Sequence, residues 1–340
     1  MIFQNILVRF ISLFFSDQNK RKQFIKSHSR MTKFAKLRAD NLEMKRDLAQ
    51  IKDLLLNHTW LTPLDDNPQI YLSIACIAKN EGQYIKEWIE YHRIVGVQRF
   101  YFYDNESTDN TREVLDPYIR SGVVIYRYVA GRTMQCPVYQ DAVLKARGQT
   151  RWLALIDLDE FIVPIEKDTI PEFLKDFEIY PGVGIDRLNF DHNDFKQPPA
   201  AHGGLVTANY TRVPKHPERD CRCCIKSIVN PGLVAFIDNP HIFRFKRYLK
   251  WLTVSENFEQ IPGRAWRSEY YSARRIRINH YHDRSVMDSR QKSKKGSVWA
   301  ISRAKYTKRN VNLFKNIETT HDYVIQKYLP KLKQAMGIKD

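Results

Sequence analysis

Leu72-Ser73-Ile74-Ala75-Cys76-Ile77-Ala78 is a short run, apolar but for Ser73, that stops at the polar turn Lys79-Asn80-Glu81. A run of this length and character is a buried strand. Asn80 is placed to cap a helix whose Ile85, Trp88, Ile89 and His92 recur at helical spacing, with Gly96 as its stop. The unit then repeats. Residues 99–103 read as a strand, 107–118 as a helix with Gly122 beyond it, and 123–128 as a strand. Residues 137–147 read as a helix stopped at Gly148, and 152–156 as a fourth strand. Strand and helix in alternation predict an α/β domain with a mostly parallel sheet and right-handed crossovers.

In such sheets the ligand crevice lies beyond the carboxyl ends of the strands. The residues there are polar. Ala78-Lys79-Asn80-Glu81 follows the first strand, Asp104-Asn105-Glu106-Ser107-Thr108-Asp109 the second, and Asp157-Leu158-Asp159-Glu160 the fourth. Asp157 and Asp159 are two apart, so in extended backbone both face one way. Two carboxylates on one face make a hard-oxygen site for Mg²⁺ or Mn²⁺, completed by water and substrate phosphates. A cation there would neutralise the charge that develops on a departing diphosphate.

The 340 residues carry a formal net charge of +17. Residues 1–60 hold 12 Lys/Arg against 5 Asp/Glu, residues 244–310 hold 18 against 5, and the remainder holds 25 against 28. The basic charge therefore sits on the flanks, where it suits an anionic lipid, a phosphorylated substrate or nucleic acid. At 43% hydrophobic residues the chain can bury a real core.

Five cysteines, with Cys221, Cys223 and Cys224 crowded together, do not form a secreted disulfide framework, so a reducing, cytoplasmic setting is expected. Their spacing is not that of a zinc site, with His216 the only nearby helper, and His280-Tyr281-His282 supplies too few ligands for structural zinc.

The N-terminal stretch MIFQNILVRFISLFF is shorter than a spanning helix and is interrupted by Arg9. The basic run Lys20, Arg21, Lys22, Lys26, Arg30, Lys33 comes after it, the reverse of a signal peptide. Two readings fit. One is a helix lying on an anionic membrane surface, peripheral at its inner face; the other is a helix docked on the protein's own core. Thr62-Pro63 and Asp65-Asp66-Asn67-Pro68 break the chain. The expected organisation is a helical, basic extension over 1–62, a catalytic domain over 68–285, and a basic helical segment over 286–340. A short strand is expected at 232–237.

The motifs together carry a family resemblance. Lys79-Asn80-Glu81, Glu87-Trp88, Tyr91-His92, Gly96 and Asp104-Asn105-Glu106-Ser107-Thr108-Asp109-Asn110-Thr111 resemble a family 2-type glycosyltransferase domain. Asp157-Leu158-Asp159-Glu160-Phe161 and the later Asn279-His280-Tyr281 resemble glycosyltransferase family 92, over about residues 70–285. The resemblance implies the GT-A (Rossmann-like) nucleotide-sugar-binding fold, a nucleoside-diphosphate sugar donor (uridine diphosphate foremost), Mn²⁺ or Mg²⁺, and a glycan or glycolipid acceptor. It makes Asp157, Asp159 and His280 the metal set. The donor-binding set is Ala78, Asn80, Glu81, Asp104, Gln140 and Asp157. The family pattern continues after the NHY segment with Lys-Ser and acidic residues, whereas this chain reads His282-Asp283-Arg284-Ser285-Val286. If the reaction inverts configuration, Asp191 or Asp194 is the candidate general base.

Three other readings compete. A nucleic-acid-binding protein would account for the net charge, but the near-neutral centre with its strand-end acids counts against it, and no nucleic acid partner is expected. A haloacid-dehalogenase-like phosphatase uses an Asp-x-Asp pair on its first strand, whereas here the pair follows the fourth and Phe161 stands where Thr or Val belongs. A membrane scaffold without catalysis has no need of the carboxylate set.

Overall fold

The computed structural model describes residues 68–220, 225–245, 253–261, 271–282, 284–288, 314 and 317–338. The expected extension over 1–62, the cysteine cluster and most of the basic stretch after Arg284 lie outside these. The described residues all fall in one compact unit. Among the described residues, no helix is long and apolar enough to cross a membrane.

The repeating unit is present with shifted edges. β1 is Ile70–Ala78, α1 Gly82–Ile94, β2 Arg99–Asp104, α2 Thr111–Arg120, β3 Val124–Tyr128, α3 Gln135–Ala146 and β4 Thr150–Leu155. β1 pairs with β2 and β4, and β2 with β3, all parallel. Beyond β4 the sheet continues through β9 (Lys226–Val229), β6 (Gly182–Ile185) and β12 (Thr253–Val254), in the order β12-β6-β9-β4-β1-β2-β3. β9 runs antiparallel to both neighbours. This is the mostly parallel α/β sheet that the strand–helix alternation predicts.

Three departures have local causes. Asn80 does not cap α1. It takes a left-handed backbone, φ 55°, and its side-chain oxygen accepts from Thr108 N–H at 2.7 Å instead. The second helix starts at Thr111 because Ser107 N–H is donated to Asp104 and Thr108 N–H to Asn80. α3 begins two residues before Pro137, whose missing N–H is no loss in a first turn. The later strand, β10 (Val234–Asn239), pairs with β11 (Ile242–Phe245) as a hairpin.

A smaller sheet holds β5 (Glu160–Pro164), β13 (Ile276–His280) and β7 (Arg187–Asn189). β8 (Arg212–Pro214) pairs with β14 (Thr319–His321). The described C-terminal residues join the same core. Tyr328 packs edge-on against Tyr91, Leu332 is fully buried, and Lys86 Nζ donates to Met336 O.

α1 is the brace between the two sheets. Trp88 Nε1 donates to Glu160 O at 2.9 Å and Tyr91 OH to Ile162 O at 3.0 Å. His92 has Nδ1 against Trp88 O, so its Nε2 accepts from Ile162 N–H. Glu87 accepts the amides of Val206 and Thr207. The Glu-Trp and Tyr-His motif residues are thus fully used in fixing β5 and the chain beyond it, and all are buried.

Candidate active site

Register assembles the site. In the small sheet, His280 lies opposite Glu160 of β5 on one side and Asn189 of β7 on the other. Tyr281 N–H donates to Asp159 O at 2.8 Å. The end of β13 is thereby held against the Asp157–Glu160 turn. The turn itself is closed by two bonds: Glu160 N–H to Asp157 O, and Asp157 N–H to the Glu160 carboxylate at 2.9 Å.

His280 Nδ1 lies 2.8 Å from Asn189 Oδ1, which makes it the ring donor and leaves Nε2 as the acceptor nitrogen. That nitrogen faces Asp159 Oδ1 at 3.7 Å. Two electron-pair donors this close accommodate a cation between them. Among the described residues no group of three or more His, Cys, Asp or Glu converges as a preformed metal cage. A carboxylate–imidazole pair fits an ion of the Mg²⁺ or Mn²⁺ type, which takes few protein ligands and fills its shell with water and phosphate oxygen.

Asp157 is held quite differently. Its Oδ1 accepts from Gln135 Nε2 at 2.6 Å and Tyr139 OH at 3.1 Å, both on α3. Its Oδ2 faces Lys226 Nζ at 2.9 Å. The Lys226 ammonium, 1% exposed, also lies 3.3 Å from Glu160, which is 0% exposed and receives Arg187 Nη1 at 2.9 Å. Burial alone would lower the Lys226 ammonium, but the Asp157 and Glu160 carboxylates outweigh it and hold it above the ordinary lysine value. His241, in the β10–β11 turn, feels the same cations. Burial first, then Lys226 and Arg187, push it down to about 3, so it is neutral.

Apart from the Glu81–Arg284 and Lys79–Glu106 ion pairs, the other strand ends form a rim of bonds with at least one neutral partner. Asn80 N–H donates to Ser107 Oγ, and Asn105 Nδ2 to the carbonyls of Val129 and Gly131. Asp104 accepts from Ser107 N–H and from Tyr126 OH, both at 2.9 Å. Ala78 ends β1 and its carbonyl accepts Asn105 N–H. Glu81 receives Arg284 Nη1 at 2.8 Å. Arg284 also donates to Leu158 O and lies 3.6 Å over the Tyr84 ring, clasping the β1 loop to the Asp157–Asp159 turn. Gln140 points elsewhere: its Oε1 accepts Ile237 N–H, tying α3 to β10.

Asp191 follows β7, one residue past Phe190, whose N–H bonds His280 O. Arg212 Nε donates to Asp191 at 2.6 Å and Arg212 Nη1 to Asp194 at 2.9 Å. Asp191 is buried, whereas the Asp194 side chain is 77% exposed. The hydrogen bond from Arg212 holds the Asp194 carboxyl below its ordinary value.

Sequence reading missed Gln135, Tyr139, Lys226 and His241, and did not single out Arg284 from the basic residues that follow it. Gln135 and Tyr139 share one face of α3 at i, i+4, a periodicity that was readable. Lys226 and His241 carry no local signal, because only tertiary pairing of β9 brings them to Asp157.

The family model for glycosyltransferase family 92 matches residues 70–327. A glycosyltransferase family 92 protein of Oryza sativa subsp. japonica is 28% identical over 54% of this chain and 31% of its own length. A galactan beta-1,4-galactosyltransferase of Arabidopsis thaliana is 23% identical over 55% of this chain and 39% of its own. The chain thus spans about a third of the curated relatives it matches. Among solved structures, S. aureus TarS in complex with UDP has a TM-score of 0.33 at 13% identity, covering 48% of each chain. Glucosyl-3-phosphoglycerate synthase of Mycobacterium tuberculosis with Mn²⁺ and UDP has a TM-score of 0.26 at 17% identity, covering 49% of this chain and 58% of that one.

Proposed function

This chain belongs to glycosyltransferase family 92, and from that premise we propose that it transfers a hexose from a nucleoside-diphosphate sugar, UDP foremost, to a glycan or glycolipid acceptor. The observation that carries the reading is the meeting of Asp159 Oδ1 and His280 Nε2 at 3.7 Å, at the carboxyl end of the sheet beside Asp157. The galactosyltransferase named among the relatives supports hexosyl transfer to a glycan.

In this reading Asp159 and His280 hold Mn²⁺ or Mg²⁺. The ion, when bound, offsets the charge of the departing diphosphate. The chain's own residues do the rest. Asn80, Asp104 and Ala78 form a fixed rim for the nucleoside, and Glu81 is anchored by Arg284. The reaction inverts configuration. Asp194 is the candidate general base because it is open to solvent, although Arg212 binds it as well as the buried Asp191. The apolar and basic stretch of residues 1–33 supports a location at the inner face of a membrane; recovery of the whole full-length protein in the soluble fraction would remove that support.

The test is a donor screen with Mn²⁺, reading nucleoside diphosphate release. We expect turnover with one sugar nucleotide, lost on chelation and reduced at least 100-fold in D159N. Folded protein that neither binds nor turns over any donor would overturn the reading.

A further inference from the structure

The first aspartate of the pair raises a question that the proposed donor site leaves open. A metal ligand should offer a carboxylate to the crevice. The Asp157 side chain is 32% exposed, yet each of its oxygens already has a partner in the protein: Oδ1 has Gln135 and Tyr139, Oδ2 the Lys226 ammonium. Lys226 comes from β9, the strand that runs antiparallel to β4, and its Nζ lies 2.9 Å from Asp157 Oδ2. It is 1% exposed, so it cannot be a surface cation that swings out to meet a substrate.

Burying an ammonium is costly unless its charge is matched, and a packed methionine would do the structural task at least as well. Here the match is complete. Asp157 and Glu160 supply two negative charges, Lys226 and Arg187 two positive ones. Asp157 thus sits in a balanced set, while Asp159 two residues on faces His280. A divalent ion bound at Asp157 would lie beside the Lys226 ammonium, 2.9 Å from Oδ2, and be repelled by it.

We propose that Lys226 is a positioning residue for the donor site: a built-in cation that fixes Asp157 and keeps it out of the divalent ion's shell. This rests on the donor-site reading above. It has a signature that a purely structural lysine lacks. Removing the ammonium takes a positive charge away from the metal site and frees a carboxylate. Metal binding should then tighten while binding of the anionic donor weakens. Loss of structure would weaken both.

The experiment measures Mn²⁺ affinity by electron paramagnetic resonance without donor, and UDP affinity by calorimetry with saturating Mn²⁺. The proteins are wild type, K226M, K226R and D159N. We expect K226M to bind Mn²⁺ three- to tenfold more tightly and UDP at least tenfold more weakly. K226R should stay within threefold of wild type on both, and D159N should lose Mn²⁺. If K226M does not fold, E160Q/K226M removes one acid and one base together and keeps the buried charge balanced; the same opposed shifts are expected. Unchanged Mn²⁺ affinity, or parallel weakening of both ligands, would overturn the assignment of Lys226 while leaving the donor site standing. Wild-type protein that binds neither Mn²⁺ nor UDP would overturn the donor site and, with it, this inference.

Discussion

The two halves of the sheet's carboxyl edge are built from different materials. The half under β1, β2 and β3 is held by backbone and amide bonds: Asn80 to Ser107 and Thr108, Asn105 to Val129 and Gly131, Asp104 to Ser107 and Tyr126. The half under β4, β5 and β9 is held by paired charge: the buried Glu160 and Lys226 with the partly exposed Asp157 and Arg187. Bonds with a neutral partner give shape with less field than paired charges, which suits recognition of a flat nucleoside. Paired charges give a field that is set before substrate arrives, which suits chemistry on a diphosphate. The difference also sets how each half fails. Loss of a neutral bond is local, whereas loss of one buried charge strands its partners.

The sharpest way to break this contrast is at Glu160. Glu160→Ala removes the carboxylate that both Lys226 and Arg187 face and opens the Asp157–Glu160 turn. A loss of about 3–5 kcal/mol in unfolding free energy is expected. Urea denaturation measures it. A cost under about 1 kcal/mol would mean that the charged half is not held by its charges.

On the neutral half the largest cost falls on a glycine. A Cβ on Gly82 would lie 2.1 Å from Asn110 Oδ1 and 3.1 Å from Asp109 Oδ2. Gly82→Ala should cost about 1–3 kcal/mol. The second change Asn110→Ala, by clearing the nearer clash, should return most of it. If it returns none, the Asp109 contact or the amide bond from Gly82 governs the position.

These two sites also show what could be read in advance. The four parallel strands were legible because each is a short apolar run closed by polar residues, and the neutral half is made of contiguous motif residues. The charged half was only half legible. Asp157, Asp159 and Glu160 stand together in sequence, but their counter-charges come from Lys226 and Arg187, and nothing near those positions marks them. Asn80 was misread as a helix cap because an asparagine before a helix usually is one. The site spends it on tying two loops together, which no local rule weighs.

Acid should discriminate the halves next. His241 beside the charged set and His92 in the core brace both sit at about 3, lowered first by burial. Unfolded histidine titrates near 6.5. Between those values the unfolded chain binds more protons than the folded one, so stability rises with pH and is lost as pH falls from about 6.5. Each histidine contributes a slope of up to about 1.4 kcal/mol per pH unit. Urea midpoints at pH 7.5, 6.5, 5.5 and 5.0 should show the fall, and His241→Gln should flatten it. A slope unchanged in H241Q would mean that burial and the nearby cations do not hold His241 neutral in the folded chain.

The smallest effect is the most specific test of the neutral half. Asn80 combines a left-handed backbone, φ 55°, with a side-chain oxygen that accepts Thr108 N–H. Asn80→Ala loses the acceptor and places a Cβ residue without asparagine's tolerance in that conformation, for a cost of about 1–2 kcal/mol. Asn80→Gly loses the same acceptor but keeps the backbone at ease, and should cost about half as much. Asn80→Asp keeps both acceptor and conformation and should stay close to wild type in stability. The order Asp, Gly, Ala therefore separates the bond from the backbone. If Gly and Ala cost the same, the left-handed turn carries no strain and the hydrogen bond alone holds the β1 and β2 loops together.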